Sequence, residues 1–120
     1  MNLKLKSVAE KGNFEKERLV INVLNDADVG DYILMQTGMS NGNVNIAVSG
    51  TYWFPNQSVN AGDLVVLYTK SGTNKTKDLD GGRKAHFFYW GKNAAIWGNP
   101  SKAAVLAHAP TWSSASVDEL

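Results

Sequence analysis

Apolar and polar residues alternate with a period of two along most of this chain. Leu19, Ile21 and Val23 alternate with Arg18, Val20 and Asn22, and Val44, Ile46 and Val48 with Asn43, Asn45, Ala47 and Ser49. A period of two puts one face of a strand against a core and the other toward solvent. Further strands are expected over Leu3–Val8, Tyr32–Thr37, Thr51–Phe54, Leu64–Thr69, Ala85–Trp90, Ala94–Trp97 and Ala103–His108. These segments are rich in β-branched and aromatic residues. Asn41-Gly42 is the sharpest turn signal, because a type I′ hairpin needs positive φ at both central residues. Asn60-Ala61-Gly62-Asp63, Ser71-Gly72, Asp80-Gly81-Gly82 and Gly98-Asn99-Pro100 punctuate the rest.

Glu10 to Arg18 is charged and offers Asn13 as a cap for a short helical turn, but no long helical period occurs. Strands at this spacing without helices between them predict an all-β sandwich of about seven to nine antiparallel strands. Residues 70–84 are polar and glycine-rich and are expected to form a long exposed loop. Residues 113–120 are expected to form a flexible C-terminal tail. One domain over residues 1–112 follows, in which residues 1–6 serve as an N-terminal arm or an edge strand.

The second half resembles the lamin-tail domain, an immunoglobulin-like β-sandwich. One stretch is Trp53-Phe54-Pro55 followed by Val59-Asn60-Ala61-Gly62-Asp63 and the run Leu64-Val65-Val66-Leu67-Tyr68. The other is Ala95-Ile96-Trp97-Gly98-Asn99-Pro100-Ser101-Lys102 followed by Ala103-Ala104-Val105-Leu106. The resemblance spans roughly residues 50 to 110 and implies an interaction module without catalytic residues. Pro100-Ser101-Lys102 stand where the family often has an aspartate. Independently of the family, Trp97 is placed to cover an open end of the sandwich, and Gly98 to supply a positive φ.

With 120 residues, 43% hydrophobic and 19% charged, the chain has the makings of one globular core. It contains no cysteine, which excludes disulfides and thiolate metal sites. Its net charge of +1 does not by itself point to nucleic acid. Met1 to Lys6 is too short and too alternating for a signal peptide, and no apolar run is long enough to cross a membrane. Val117-Asp118-Glu119-Leu120 looks like an endoplasmic-reticulum retention tail but has no secretory leader to act with. The expected location is a virion surface for a phage-encoded protein, and otherwise the cytoplasm.

Candidate chemistry is sparse. His86 and His108 both fall within strands, and no serine sits in a glycine-flanked elbow, so no nucleophile–base pair stands out. Asp26, Asp28 and Asp31 superficially resemble a calcium loop, but they are expected to cap turn amides, because the loop lacks a downstream bidentate glutamate. Gly81-Gly82-Arg83-Lys84 lacks the strand-to-helix setting of a phosphate loop. No metal and no cofactor is expected.

The one charge asymmetry is Lys70 to Lys92. Lys70, Lys75, Lys77, Arg83, Lys84 and Lys92 stand there against Asp78 and Asp80, a local net of +4. Four tryptophans, Trp53, Trp90, Trp97 and Trp112, cannot all be fully buried in so small a domain. Trp112, next to the tail, is the best placed of them to be an anchor or an interface residue.

The expected function is therefore non-enzymatic: a small structural protein that decorates or cements the outer surface of a phage capsid. The expected partner is a multimeric protein surface, with self-association compatible and nucleic acid disfavoured. The candidate contact residues are Leu3, Leu5, Lys75, Lys77, Arg83, Lys84 and Trp112. The alternative is a ligand-binding module for nucleic acid or carbohydrate.

Overall fold

The structure is a computed structural model that describes residues 1–120. Its strands are β1 (Leu3–Ala9), β2 (Arg18–Val23), β3 (Ala27–Asp28), β4 (Tyr32–Ser40), β5 (Asn43–Val44) and β6 (Gly50–Trp53). They continue with β7 (Ser58–Val59), β8 (Leu64–Tyr68), β9 (Lys75–Asp78), β10 (Lys84–Tyr89) and β11 (Lys102–His108). The only helical elements are three 3-10 turns, so none is long and apolar enough to cross a membrane.

Two main sheets face each other. The first has the order β1-β2-β8-β10-β9. In the second, β4 lies between β11 and β6, and β5 extends the far end of β4. A small β3–β7 ladder closes one end. The alternating side chains of β2 (Leu19, Ile21, Val23) meet Tyr32 and Leu34 of β4 and Phe88 of β10 in one core. This all-β, sandwich-like architecture is the one expected from the period of two. One detail departs from an all-antiparallel layout: β10 runs parallel to β8, from Ala85 opposite Leu64 to Tyr89 opposite Tyr68. The chain between them crosses over through β9, which returns antiparallel on the outer side of β10.

Met1 to Lys6 is no free arm. Leu3 is buried in the core, and β1 is an edge strand bonded along β2. The expected 70–84 loop likewise carries a strand, β9, which forms the opposite edge of the same sheet.

Three expectations fail locally. Val44, Ile46 and Val48 face solvent, and Ile46 is 98% exposed. The hairpin turn itself is as expected, with positive φ at Asn41 and Gly42 and pairs Met39–Val44 and Ser40–Asn43. Beyond it, the strand buckles. Asn45 bonds Ser40 Oγ at 2.8 Å and accepts from Ala47 N at 2.9 Å, while Gly38 pairs with both Asn45 and Ala47 through its backbone. Ile46 stands at the crest of this bulge, beyond the reach of the core.

Ala94–Trp97 is not a strand, because a carboxylate takes the place of a partner strand there, as described below. Gly98 does not have a positive φ. A Cβ there would lie 3.3 Å from Gly12 Cα, so close backbone approach is what calls for glycine.

Residues 10–17 form turns without a helix, including Glu17 N to Asn13 O at 2.6 Å. The segment from Ser113 to Leu120 is exposed and contains only a 3-10 turn at Val117–Glu119.

Candidate functional site

Glu17 is the most deeply buried charge in the molecule, with 0% exposure. Oε1 accepts from Gly12 N at 2.8 Å and Trp97 N at 3.1 Å. Oε2 accepts from Thr69 Oγ1 at 2.5 Å and Ile96 N at 3.0 Å. Burial pushes this carboxyl upward, but the Thr69 hydroxyl and the amides of Ile96, Gly12 and Trp97 outweigh it and hold it below the usual range. Glu17 thus ties the turn after β1, the end of β8 and the approach to β11 together. Nothing in a charged stretch read as a helical turn signalled this role.

A second buried polar group joins β8 to β10. Asp63 Oδ2 meets His86 Nε2 at 2.8 Å, and Gln57 Nε2 meets His86 Nδ1 at 2.7 Å. Asp63 also accepts from Asn60 N and Lys84 N, both at 3.0 Å. Burial raises the Asp63 carboxyl, and the His86 bond, the two amides and the His86 charge bring it below its usual value. The Thr76 hydroxyl lies 3.5 Å from Nδ1, the nitrogen that Gln57 already occupies. The arrangement fastens strands and leaves the imidazole no free nitrogen to activate a nucleophile. His108 instead packs its ring against Tyr32, 4.7 Å between centroids.

Asp26 and Asp28 act as turn residues, whereas the Asp31 side chain caps no amide. Asp28 Oδ1 accepts from Gly30 N and Gln57 N at 2.8 and 2.9 Å, and Asp26 Oδ1 from Ala61 N at 2.9 Å.

The seven candidate contact residues fall in three separate places. Leu3 and Leu5 belong to β1, at one edge of the first sheet. Lys75, Lys77, Arg83 and Lys84 lie at the opposite edge, on or beside β9. Their charge is partly spent within the fold. Lys84 pairs with Asp78 at 3.8 Å, Arg83 turns back onto Asp80 O at 3.2 Å, and Lys75 sits 5.9 Å over the Phe87 ring. Trp112 meets Trp53 of β6 edge-to-face, 4.9 Å between centroids.

Leu3 and Leu5 line an open groove of about 500 Å³ with Met1, Lys4, Leu24 and Leu106. It lies between β1 and β11, each bonded to a neighbour on one side only. Leu24 and Leu106 add to the candidates: the sequence marks Leu106 only as part of the strand Ala103–His108 and gives Leu24 no role.

The outward face of the first sheet also carries rings. Tyr68 stacks on Tyr89 at 5.3 Å, while Arg18 and Lys70 lie 6.0 and 5.5 Å from the Tyr68 ring. Arg18 is paired with Glu10 at 3.0 Å and Lys70 with Glu15 at 3.8 Å. Each of the two cations near the Tyr68 ring thus has a carboxylate partner.

Neither a family model nor a curated protein matches this chain.

Proposed function

We propose that this protein is a non-enzymatic structural module that attaches to a multimeric protein shell, the outer surface of a phage capsid. The observation that supports it best is the apolar groove between the two one-sided edge strands β1 and β11. An edge strand offers unpaired backbone donors and acceptors to an incoming extended segment, and an apolar groove beside it receives that segment's side chains. The occupant on this reading is an extended segment of the shell protein. It carries an apolar side chain for the space between Leu5 and Leu106 and acidic residues opposite Lys4 and Lys6. Those two lysines, with the register shift between Leu5 and Ser7, discourage pairing of β1 with another copy of itself. The resemblance of residues 50 to 110 to the lamin-tail domain is in keeping with an interaction role.

Co-sedimentation tests the reading. Shells of the encoding phage, stripped of this protein, are mixed with it and pelleted. Saturable binding in a fixed ratio to shell subunits is expected, and Leu5→Lys or Leu106→Glu should abolish it while the melting transition stays cooperative. Absence of the wild-type protein from the pellet, or unchanged binding by both variants, overturns the proposal.

A further inference from the structure

The second sheet carries a built feature that the docking role does not use. Trp53 and Trp112 meet at 89° and form an L-shaped corner, yet they remain 49% and 59% exposed. Indole surface left this open in water is unfavourable unless something covers it. The corner opens on a cleft of about 330 Å³ that also includes Asp31, Pro55 and Asn56.

Gly30 positions both sides of this cleft. Its carbonyl accepts the Trp53 indole N–H at 2.8 Å, which fixes the ring. Asn56 lies directly over it: a Cβ on Gly30 would come within 2.2 Å of Asn56 Oδ1. The side chain of Asn56 can pack there only because residue 30 has none. An oriented ring and a seated carboxamide are therefore in place before any ligand arrives, which lowers the ordering cost of binding.

We infer that this cleft binds a hexopyranoside of gluco configuration. Such a sugar has a face of axial C–H bonds, whose slight positive charge suits the negative face of an indole. Its equatorial hydroxyls point sideways, where Asp31 offers acceptors and Asn56 both donors and acceptors. The chemistry of the cleft separates this ligand from two others that also use aromatic rings. A single-stranded nucleic acid would bring phosphates to a cleft that holds a carboxylate and no cation. A proline-rich peptide presents carbonyl acceptors and few donors, so it would leave the acceptor oxygens of Asp31 unmatched.

The experiment is a tryptophan-fluorescence titration of the full chain with cellohexaose, chitohexaose and maltohexaose. A polyproline peptide and an oligothymidylate are run in parallel. At least one hexaose should give a saturable single-site change. Trp112→Ala and Asn56→Ala, both at exposed positions, should each weaken it, the tryptophan change by about tenfold or more. Lys77→Ser should leave it unaltered. The inference is overturned by three hexaoses without effect up to millimolar concentration, by sugar binding that survives Trp112→Ala, or by saturable binding of the peptide or oligonucleotide instead.

Discussion

Glu17 and Trp97, 80 residues apart, are joined directly: the Trp97 N–H donates to Glu17 Oε1 at 3.1 Å. The same carboxylate holds Ile96, Gly12 and Thr69. Glu17→Leu should therefore strand several buried donors at once and destabilise the fold by about 3 kcal/mol or more. Glu17→Gln, which keeps one acceptor oxygen, should cost less. Urea unfolding of both variants checks this, and equal stability of wild type and Glu17→Leu would contradict the role assigned to the carboxylate.

Acid should unfold the protein through Glu17 and Asp63. Both carboxyls are held lower in the fold than their ordinary values, so the unfolded chain takes up their protons first. Their contribution is complete above the unfolded carboxyl range, about pH 4 to 4.5. It is lost as pH falls from there toward the lower folded values. Thermal melts between pH 7 and pH 2 should show the drop concentrated below pH 5. In Asp63→Asn the acid-dependent part should shrink.

Removing residues 1–6 should unfold the domain or lower its melting temperature steeply. The deletion takes away the buried Leu3 and most of β1, and loss of a single buried leucine side chain already costs about 2–5 kcal/mol. Replacing Lys75 and Lys77 with serine on the exposed β9 edge should leave the melting temperature within a degree or two. Circular dichroism melts separate the two outcomes.

Ile46→Ser should be neutral toward stability, in contrast to Ile21→Ser, which places a hydroxyl in the core and should cost several kcal/mol. Both isoleucines lie in alternating apolar patterns, but Ile21 is 0% exposed and Ile46 is 98% exposed. Chemical denaturation of the pair distinguishes them, and a large loss for Ile46→Ser would mean that the bulge packs against something.

The architecture was legible where alternation, β-branched residues and turn chemistry agree. Leu19–Val23, Tyr32–Thr37 and the Asn41-Gly42 turn all stand as expected. Alternation misled at Val44–Val48, because the pattern specifies a two-sided strand but cannot say whether a second layer reaches it. Ala94–Trp97 looked like a strand for its apolar content, yet the amides of Ile96 and Trp97 are satisfied by a side chain from residue 17, non-local bonds that no local pattern reports. The parallel pairing of β8 and β10 was equally hidden, since strand propensity carries no direction.

The candidate contacts were legible one by one but not as sites. Leu3 and Leu5 stood out, while their groove partners Leu24 and Leu106 come from other strands. Trp112 stood out beside the tail, whereas Gly30, which organises the cleft under it, reads as an ordinary turn glycine. Charge counting along residues 70–92 missed that Lys84 and Arg83 find acceptors within the fold.

The pairing of β11 with β4 also governs the order of assembly during synthesis. β4 can acquire β5 and β6 soon after it is made, but its other flank stays bare until Lys102–His108 emerge, after every other strand. The Leu34 to Gln36 stretch must wait unprotected on the ribosome for that last partner. A nascent chain stalled before residue 102 is therefore expected to expose a half-built sheet to chaperones and to other nascent chains.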